Sequence, residues 1–523
     1  MNSENKAPKL SLQLVVLSTV FVAGMCSLVY ELLISTTSSY FLGDSVKQFS
    51  LTIGVYMAAM GLGAYLTQLL RTDLLVWFIR IELLLGIIGG ACVPILYFTF
   101  ERTSTAGYQF IMLLLTFVIG VLTGFEVPLL IRLLKTRFPL RANLANVLGL
   151  DYFGALIATL LFPFILLPFV GTFRSSILFG LTNIIMGWVV YRYFLRDAGT
   201  TSAQRWLEVG AVVAILSFAT LSFFSTRLLA HWEDQFYRAR IVYSEQTPYQ
   251  QITLTQNQDD LRLYINRIIQ FSSVDEYRYH ESLALIPLQT TPYRKRVLVL
   301  GGGEGLLVRE LLKAPDIESV TVVDLDTAIF RLATQDPRLV ELNHGALLDL
   351  RVRLVTNDAM QFLRDTPETY DLIIADLPDP SNESLARLYS TAFYRLVRQR
   401  LSAYGVFATQ ASSPFHTRNA YWCIVQTLRR SEFRTVQPYH TYVPSFGEWG
   451  FVLAYNFPAA PTDYEIPYST RYLAPALLPQ MFYFAPDISE PIGTEPNRLD
   501  QPALLQYFLE DWERWRVKQQ TGS

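Results

Sequence analysis

The sequence predicts an all-α membrane domain of about seven helices, followed by a small antiparallel β-domain and an α/β domain with a mainly parallel sheet. Three observations lead to this prediction. Long apolar runs dominate residues 11–226, whereas residues 231–523 have an ordinary soluble composition. Polar and apolar residues alternate within 251–265. A glycine-rich turn at 301–305 lies between two short apolar runs rich in β-branched residues.

The composition limits the classes of function. The chain has 523 residues, enough for two or more domains, and 51% of them are hydrophobic. A net charge of −2 offers no attraction to a polyanion, so we expect no nucleic-acid partner. The three cysteines have no metal-ligand spacing and the five histidines are not clustered. We therefore expect neither a metal site nor a disulfide framework.

Seven apolar segments are each long enough to cross a bilayer, which takes about 20 residues. The first is too long, and too soon followed by others, to be a cleaved signal peptide. The lipid bilayer is therefore an expected partner. The segments are 11–34, 48–70, 74–99, 108–133, 145–169, 173–195 and 206–226.

Acidic residues within or beside these segments are open to two interpretations. Glu31, Glu126, Asp151 and, less strongly, Glu82 could bind a cation or relay protons, because an acid in a bilayer is costly and is usually functional. They could also cap helices or lie at the headgroup level. One further pattern, a face of small residues, predicts close helix packing: Gly54, Gly61 and Gly63, with Ala58, Ala59 and Ala64.

The start of the soluble half is predicted to be a connector and a small β-domain. Residues 227–245 are rich in aromatic residues and indicate an interfacial connector. Alternation at 251–255 and 261–265 predicts antiparallel strands. A helix is expected from about 275, and its Tyr279-His280-Glu281 triplet could serve capping and packing alone.

The glycine-rich turn belongs to the first βαβ unit of a Rossmann-like, nucleotide-binding sheet. The run 297–300 predicts a buried parallel strand, a helix follows over 306–313, and a second strand ends at Asp324. Dinucleotide folds use the pattern G-x-G-x-x-G, whose third glycine would fall here on Leu306. A tighter turn suits a ligand without phosphate. Asp324, 19 residues after Gly305, could accept both ribose hydroxyls of a nucleoside.

Further acids follow later strands of the predicted sheet. Asp358 comes after the strand 352–355, and Asp376 and Asp379 come after the strand that starts at 371. The carboxyl ends of parallel strands meet at one edge, so these acids should converge with Asp324 on one cleft. A negative cleft beside a nucleoside suits a cationic co-substrate.

The rest of the chain completes the domain. Strands at 405–410, 436–442 and 450–454 give a sheet of about seven strands, with a helix at 415–430. Residues 456–523, with a short helix near 502–517, are interpreted as a wrap or lid from which no chemistry can be deduced. The predicted domains are therefore a transmembrane domain (1–228), a connector and β-domain (229–288), a Rossmann-like catalytic domain (289–456) and a C-terminal wrap (457–523).

The motifs VLVLGGGEG, VVDLD and DLIIADLPDP, with Asp358 between the last two, together resemble the spermidine synthase (polyamine aminopropyltransferase) family. The stretches TPYQQITL, IIQFSSVDEYRYHE and VPSFGEWGF extend the resemblance over about 245–455. The resemblance implies a methyltransferase-type fold for the α/β domain. The apolar first half resembles the membrane-bound bacterial branch of that family, which implies a multi-pass protein of the cell (inner) membrane.

The resemblance implies an activity and a set of residues. The aminopropyl group of decarboxylated S-adenosylmethionine, a co-substrate, would pass to an amine such as putrescine and give spermidine and methylthioadenosine, with no cofactor or metal. It also implies a homodimer. The catalytic pair would be Asp376, as the base, and Tyr279; the donor-binding set Gln250, Gln270, Gly301, Gly303, Glu304, Gly305, Asp324 and Asp358; and the amine-binding set His280, Asp379 and Phe446.

Two departures from the family pattern concern the substrates. Glu304 stands at the usual aspartate position near the donor's aminopropyl end, and Phe446 stands where soluble members usually have tyrosine. Two other functions share parts of the pattern. One is a methyltransferase that uses S-adenosylmethionine; the other is a polyamine sensor or transporter with a degenerate synthase domain.

Two arguments about orientation disagree. Lys and Arg accumulate at the N-terminus, at 132–141 and at 192–205, and the positive-inside rule places these regions in the cytoplasm. Seven crossings would then put the soluble half on the opposite side. A nucleoside substrate from the cytosol requires the reverse. We expect a cytoplasmic catalytic domain, because a single re-entrant segment would reverse the count.

Overall fold

The computed structural model describes residues 9–42, 45–135, 139–194, 202–237, 239–459 and 465–521. The chain divides into two compact units, Met1–Glu233 and Asp234–Ser523. The finer domain boundaries proposed from the sequence stay predictions.

The described part of the first unit consists of long helices. Seven helices in the described ranges are long and apolar enough to cross a membrane, which confirms the seven predicted segments. A π-helical segment, Phe162–Val170, continues the fifth helix. The bounds are α1 (Lys9–Leu42), α2 (Ser45–Leu66), α3 (Leu74–Arg102), α4 (Thr105–Leu134), α5 (Leu140–Leu161), α6 (Thr172–Phe194) and α7 (Ser202–Tyr237).

The surface of this unit is more apolar than is usual for a protein surface in water. Large apolar side chains remain mostly exposed on most of its helical segments, among them Phe110 (69%), Phe164 (70%) and Phe223 (81%). Soluble proteins rarely expose contiguous apolar patches of this kind. The helices are therefore compatible with a membrane protein.

Close packing occurs between α2 and α4. A Cβ atom added to Gly63 would lie 2.1 Å from the carbonyl oxygen of Val121, and one added to Gly124 would lie 2.2 Å from that of Met60. Only glycine allows the two backbones to approach this far. The predicted small-residue contact is thus confirmed at Gly63. It is wrong at Gly54 and Gly61, which have no heavy atom of the described chain within 4 Å of such a Cβ.

Two of the acids in the apolar helices lie together. Glu82 of α3 and Glu126 of α4 are 1% and 2% exposed, and their carboxyl groups interact with each other. Glu31 and Asp151 are half-buried. A role for these acids in binding a cation or relaying protons stays a prediction, and the structure places Glu82, the weaker candidate, against Glu126.

The second unit begins with a four-stranded antiparallel sheet in the order β1-β2-β3-β4. The predicted strands correspond to β2 (Gln251–Asn257) and β3 (Asp260–Ile265). The predicted connector, 227–245, overlaps the end of α7, which extends to Tyr237, and most of β1 (Arg240–Gln246), a strand that was not predicted from the sequence. β4 (Ile268–Ser272) completes the sheet.

A seven-stranded sheet forms the core of the second unit and confirms the predicted α/β domain. Its order is β10-β11-β9-β8-β5-β6-β7, parallel from β9 to β7 and antiparallel at β10 and β11. The side chains of 297–300 in β5 are fully buried, as the apolar run predicts. The bounds are β5 (Arg296–Gly301), β6 (Ser319–Asp324), β7 (Val352–Thr356), β8 (Tyr370–Asp376), β9 (Leu401–Gln410), β10 (Thr435–Val443) and β11 (Gly447–Tyr455).

Helices cover this sheet and connect its strands. They are α8 (Glu276–Thr290), α9 (Leu306–Leu311), α10 (Thr327–Gln335), α11 (Pro337–Leu342), α12 (Ala359–Asp365), α13 (Glu383–Ala386), α14 (Thr391–Arg400), α15 (Arg418–Arg429), α16 (Leu478–Met481) and α17 (Ala503–Thr521). In the sheet, β6 is the neighbour of β5 on one side and β8 is its neighbour on the other, so the strand order reverses at β5. This switch point is where open α/β sheets bind their ligands.

Candidate active site

A cavity of about 370 Å³ opens at the switch point of the large sheet. Its walls combine the carboxyl ends of β5, β6 and β8 with residues of β3 and β4 in the small sheet. Gly303 and Gly305 are not in its lining and instead shape the turn after β5. The lining contains the other predicted site residues: Gln250, Gln270, Tyr279, His280, Gly301, Glu304, Asp324, Asp358, Asp376, Asp379 and Phe446.

The turn after β5 requires glycine for two separate reasons. Gly301 has φ +83°, and a Cβ there would lie 2.0 Å from the carbonyl oxygen of Asp376 on β8. A Cβ at Gly303 would lie 2.7 Å from Oδ2 of Asp324. The first glycine lets the turn pass over β8, and the second lets it approach the carboxylate at the end of β6. The glycine spacing thus brings two acids to one turn.

Asp376 is paired with Tyr279, although 97 residues separate them along the chain. The Tyr279 hydroxyl donates to Oδ1 of Asp376 over 2.6 Å. Burial, and then the Glu304 carboxylate, raise the pKa of Asp376 to about 6, against the opposing effects of His280 and Tyr279. Asp376 is therefore mostly ionised at neutral pH, but its pKa is close enough to neutrality for it to take up a proton. A carboxylate so tuned is suited to accept a proton.

Asp324 and Asp358 occupy the ends of the next two strands. Asp324 accepts a hydrogen bond from the backbone N–H of Asp326 over 3.1 Å, and burial raises its pKa to about 6. Asp358 accepts from the N–H of Gln361 over 3.0 Å at the start of α12 and forms an ion pair with Arg387. Asp358 thus reaches the cavity with both oxygens already hydrogen-bonded.

His280 lies between two carboxylates. Its Nδ1 is 2.8 Å from Oε2 of Glu276, and its Nε2 is 3.7 Å from Oε1 of Glu304. Although burial lowers the pKa of His280, the Glu276 and Glu304 carboxylates raise it to about 10. The imidazole is therefore protonated at neutral pH.

Ligand-capable atoms of His280, Glu304 and Asp376 lie within 4.8 Å of one another, a spacing that could hold a metal ion. A protonated imidazole has no lone pair to offer a metal. The cluster is better suited to ammonium groups, which the two carboxylates can accept as hydrogen-bond donors. The expected lack of a metal site stays a prediction.

The cavity lining also has an acidic and aromatic part, made of Asp379, Phe446 and Trp449. Burial raises the pKa of Asp379 to about 7, while hydrogen bonds from Ser412 and Gln410 oppose the rise. Within the described chain, Oδ1 of Asp379 is buried without a hydrogen-bond partner. Phe446 packs against Trp449 with ring centroids 5.0 Å apart. A carboxylate and aromatic rings in one cavity can together hold a cationic, partly aliphatic molecule.

Several lining residues had no signal in the sequence. Arg387 reaches the cavity from a short helical turn, His416 precedes α15, and Trp512 comes from α17. The interpretation that no chemistry could be deduced from 456–523 overlooked Trp512. Its position depends on the docking of α17 on α15, which a local pattern does not reveal.

Comparisons with known proteins give consistent matches. A sequence profile described as the spermine/spermidine synthase domain matches residues 276–462. Polyamine aminopropyltransferase 2 of Ralstonia nicotianae is 42% identical over 500 residues, which cover 94% of this chain and 97% of that protein. The polyamine aminopropyltransferase of Leptospira interrogans is 40% identical over 497 residues, covering 95% and 98%. Spermidine synthase from Thermotoga maritima, a solved structure, has 24% identity and a TM-score of 0.44, covering 47% of this chain and 85% of that one.

Proposed function

This chain belongs to the polyamine aminopropyltransferase family, and from that premise we propose that it transfers the aminopropyl group of decarboxylated S-adenosylmethionine to an amine such as putrescine. The products are spermidine and methylthioadenosine. The observation that carries the proposal is the 2.6 Å hydrogen bond between Tyr279 and Asp376, beside the glycine turn in an acid-lined cavity.

The donor lies along the glycine turn. Gly301, Gly303 and Gly305 shape the turn, and Asp324 accepts the ribose hydroxyls. Asp358, which also forms an ion pair with Arg387, accepts a hydrogen bond from the exocyclic amine of adenine. Glu304 holds the amino group at the end of the donor's propyl chain, and Gln250 and Gln270 close the site from the small sheet.

The reaction is an in-line displacement at carbon. The nitrogen of the acceptor attacks the methylene carbon bonded to the sulfonium sulfur, and the C–S bond breaks with its electron pair going to sulfur. Asp376 takes the proton that the attacking nitrogen loses. Tyr279 orients the Asp376 carboxylate and the attacking nitrogen. The leaving group is a neutral thioether, so the step needs no cofactor and no metal.

The acceptor lies over the acidic and aromatic part of the cavity. Asp379 pairs with the ammonium group at the far end of the amine, and His280 and Phe446 complete the amine-binding set. The orphaned Oδ1 of Asp379 supports this placement, because a buried acceptor without a donor is costly.

The seven apolar helices anchor the enzyme in the cell (inner) membrane, with the catalytic domain in the cytoplasm where the donor is available. The chain acts as a homodimer and without nucleic acid. Its partners are the bilayer, the amine and the sulfonium nucleoside.

The test is product analysis with purified full-length protein, two donors and a panel of diamines and polyamines. We expect methylthioadenosine and an aminopropylated amine from the decarboxylated donor, and no methylated product from S-adenosylmethionine. Methyl transfer without aminopropyl transfer would refute the proposal. Binding of amines with no turnover under any condition would favour the sensor or transporter instead.

A further inference from the structure

A chain of buried charges connects the surface of α9 to the cavity. Arg309, on α9, donates from Nη2 to Oε2 of Glu276 over 2.9 Å. The same Glu276 oxygen lies 2.8 Å from Nδ1 of His280, whose Nε2 faces Glu304. Glu276 is 1% exposed and His280 is 3% exposed. None of the roles given to the donor- and amine-binding residues explains the two outer members.

Arg309 is itself rigidly held. Its Nη1 donates to the carbonyl oxygen of Leu342 over 2.8 Å, and its Nε donates to Oε1 of Glu310 over 3.0 Å. A guanidinium fixed at three points leaves Glu276 little freedom to rotate. Glu276 in turn stays ionised: burial favours its neutral form, but His280 and Arg309 lower its pKa to about 2.

The charge on the imidazole matters because of what surrounds it. His280 faces Glu276 on its own helix, Arg309 behind Glu276, Glu304 in the glycine turn and Asp376 at the end of β8. Without Glu276, burial would favour the neutral imidazole. Glu304 and Asp376 would then face each other without a cation between them, and the pKa of Asp376 would rise, because the imidazolium no longer opposes the effect of Glu304.

We propose that Glu276 and Arg309 are positioning residues, which hold the His280 imidazolium between Glu304 and Asp376 and thereby keep Asp376 in its base form for the acceptor. This inference rests on the proposed function and deepens it. It assigns two residues of α8 and α9 that touch neither substrate. It also explains why Asp376, the base, can remain ionised beside the carboxyl group of Glu304.

The direct test is the titration of His280 by NMR in full-length protein labelled at histidine Cε1, in detergent micelles. The chain has five histidines, so five signals are expected, and His280→Asn identifies the relevant one. In the wild type this signal should not titrate below about pH 9. In Glu276→Gln, where Glu304 and Asp376 still face the ring, it should titrate at least about one unit lower than in the wild type.

Two further variants separate positioning from folding. Glu310→Gln removes the other carboxylate that contacts Arg309 but does not touch His280, and it should leave the histidine titration unchanged. Glu276→Asp keeps the charge and should restore most of the shift. If Glu276→Gln does not fold, the wild-type titration decides: a value near 6.5 overturns the proposal.

Kinetics give a second readout. Because the charge on His280 lowers the pKa of Asp376, its loss in Glu276→Gln should move the acidic limb of kcat/KM upward by about half a pH unit to one unit. A merely structural defect would reduce activity equally at every pH. An unshifted limb together with an unshifted histidine titration refutes the inference. A wild type that transfers no aminopropyl group refutes the proposed function but leaves the NMR test valid.

Discussion

At the scale of single residues, the acidity of Asp376 should set the pH dependence of the reaction. Its pKa of about 6 is above the ordinary value for aspartate because of burial and the neighbouring Glu304. The base form exists only above that pKa. We therefore expect kcat/KM to be independent of Asp376 ionisation above about pH 7 and to fall about tenfold per unit below about pH 6. Initial rates across this range, with both substrates varied, measure the limb.

Substitution provides the complementary measurement. Asp376→Asn keeps the shape of the side chain but cannot accept the proton, so kcat should fall by about 10²- to 10⁴-fold with a smaller change in the KM of the donor. The matched control is Asp365→Asn, an exposed aspartate at the end of α12, which should retain wild-type kinetics. Retention of more than about a tenth of the activity in Asp376→Asn would show that another group takes the proton.

At the scale of elements, the sequence predicted those parts of the site that local patterns determine. The run 297–300, the glycine turn and the acids at strand ends were all recognisable, because strand, turn and strand end are adjacent in the chain. The contributions of Arg309 and Trp512 were not, since each reaches its partner only after separate helices have packed. β1 was missed because its aromatic and charged residues resembled an interfacial connector.

The docking of α17 on α15 illustrates such a long-range contact. Asp511 of α17, 5% exposed, accepts hydrogen bonds from the backbone N–H of Asn419 over 2.9 Å and from its side-chain amide over 2.7 Å. These groups lie in the first turn of α15, where a carboxylate also interacts favourably with the helix dipole. Asp511 therefore holds the neighbouring Trp512 at the cavity.

We expect Asp511→Ala to loosen this docking. The loss of a buried carboxylate with three donors should cost about 1–3 kcal/mol of local stability. The KM of the amine should rise several-fold, because Trp512 no longer closes the cavity, whereas the KM of the donor should change less. Hydrogen exchange of α15 and α17, with steady-state kinetics, measures both effects. Asp500→Ala, an exposed aspartate before α17, is the control; equal effects of the two substitutions would contradict the prediction.

At the scale of the whole molecule, orientation depends on the number of crossings. Seven crossings would place the N-terminus and the catalytic domain on opposite sides of a bilayer. The positive residues near the N-terminus and in two connections favour the cytoplasm for the N-terminus. The seventh span, Glu208–Ser225, has 18 residues and is the shortest. A crossing takes at least about 17 residues. The seventh helix is therefore the one that decides whether the chain crosses six or seven times.

Cysteine labelling from each side of the membrane tests both parity and orientation. The three native cysteines are buried, so added thiols at exposed positions can be followed: Arg71→Cys between α2 and α3, and Leu350→Cys before β7. With seven crossings and a cytoplasmic catalytic domain, a membrane-impermeant maleimide should label Arg71→Cys in intact cells and Leu350→Cys only in inverted vesicles. If both variants are labelled only in inverted vesicles, one helix does not cross the membrane. The positive-inside rule and the cytosolic substrate would then both place the catalytic domain in the cytoplasm. Labelling of Leu350→Cys in intact cells would place the catalytic domain outside and refute the proposed location.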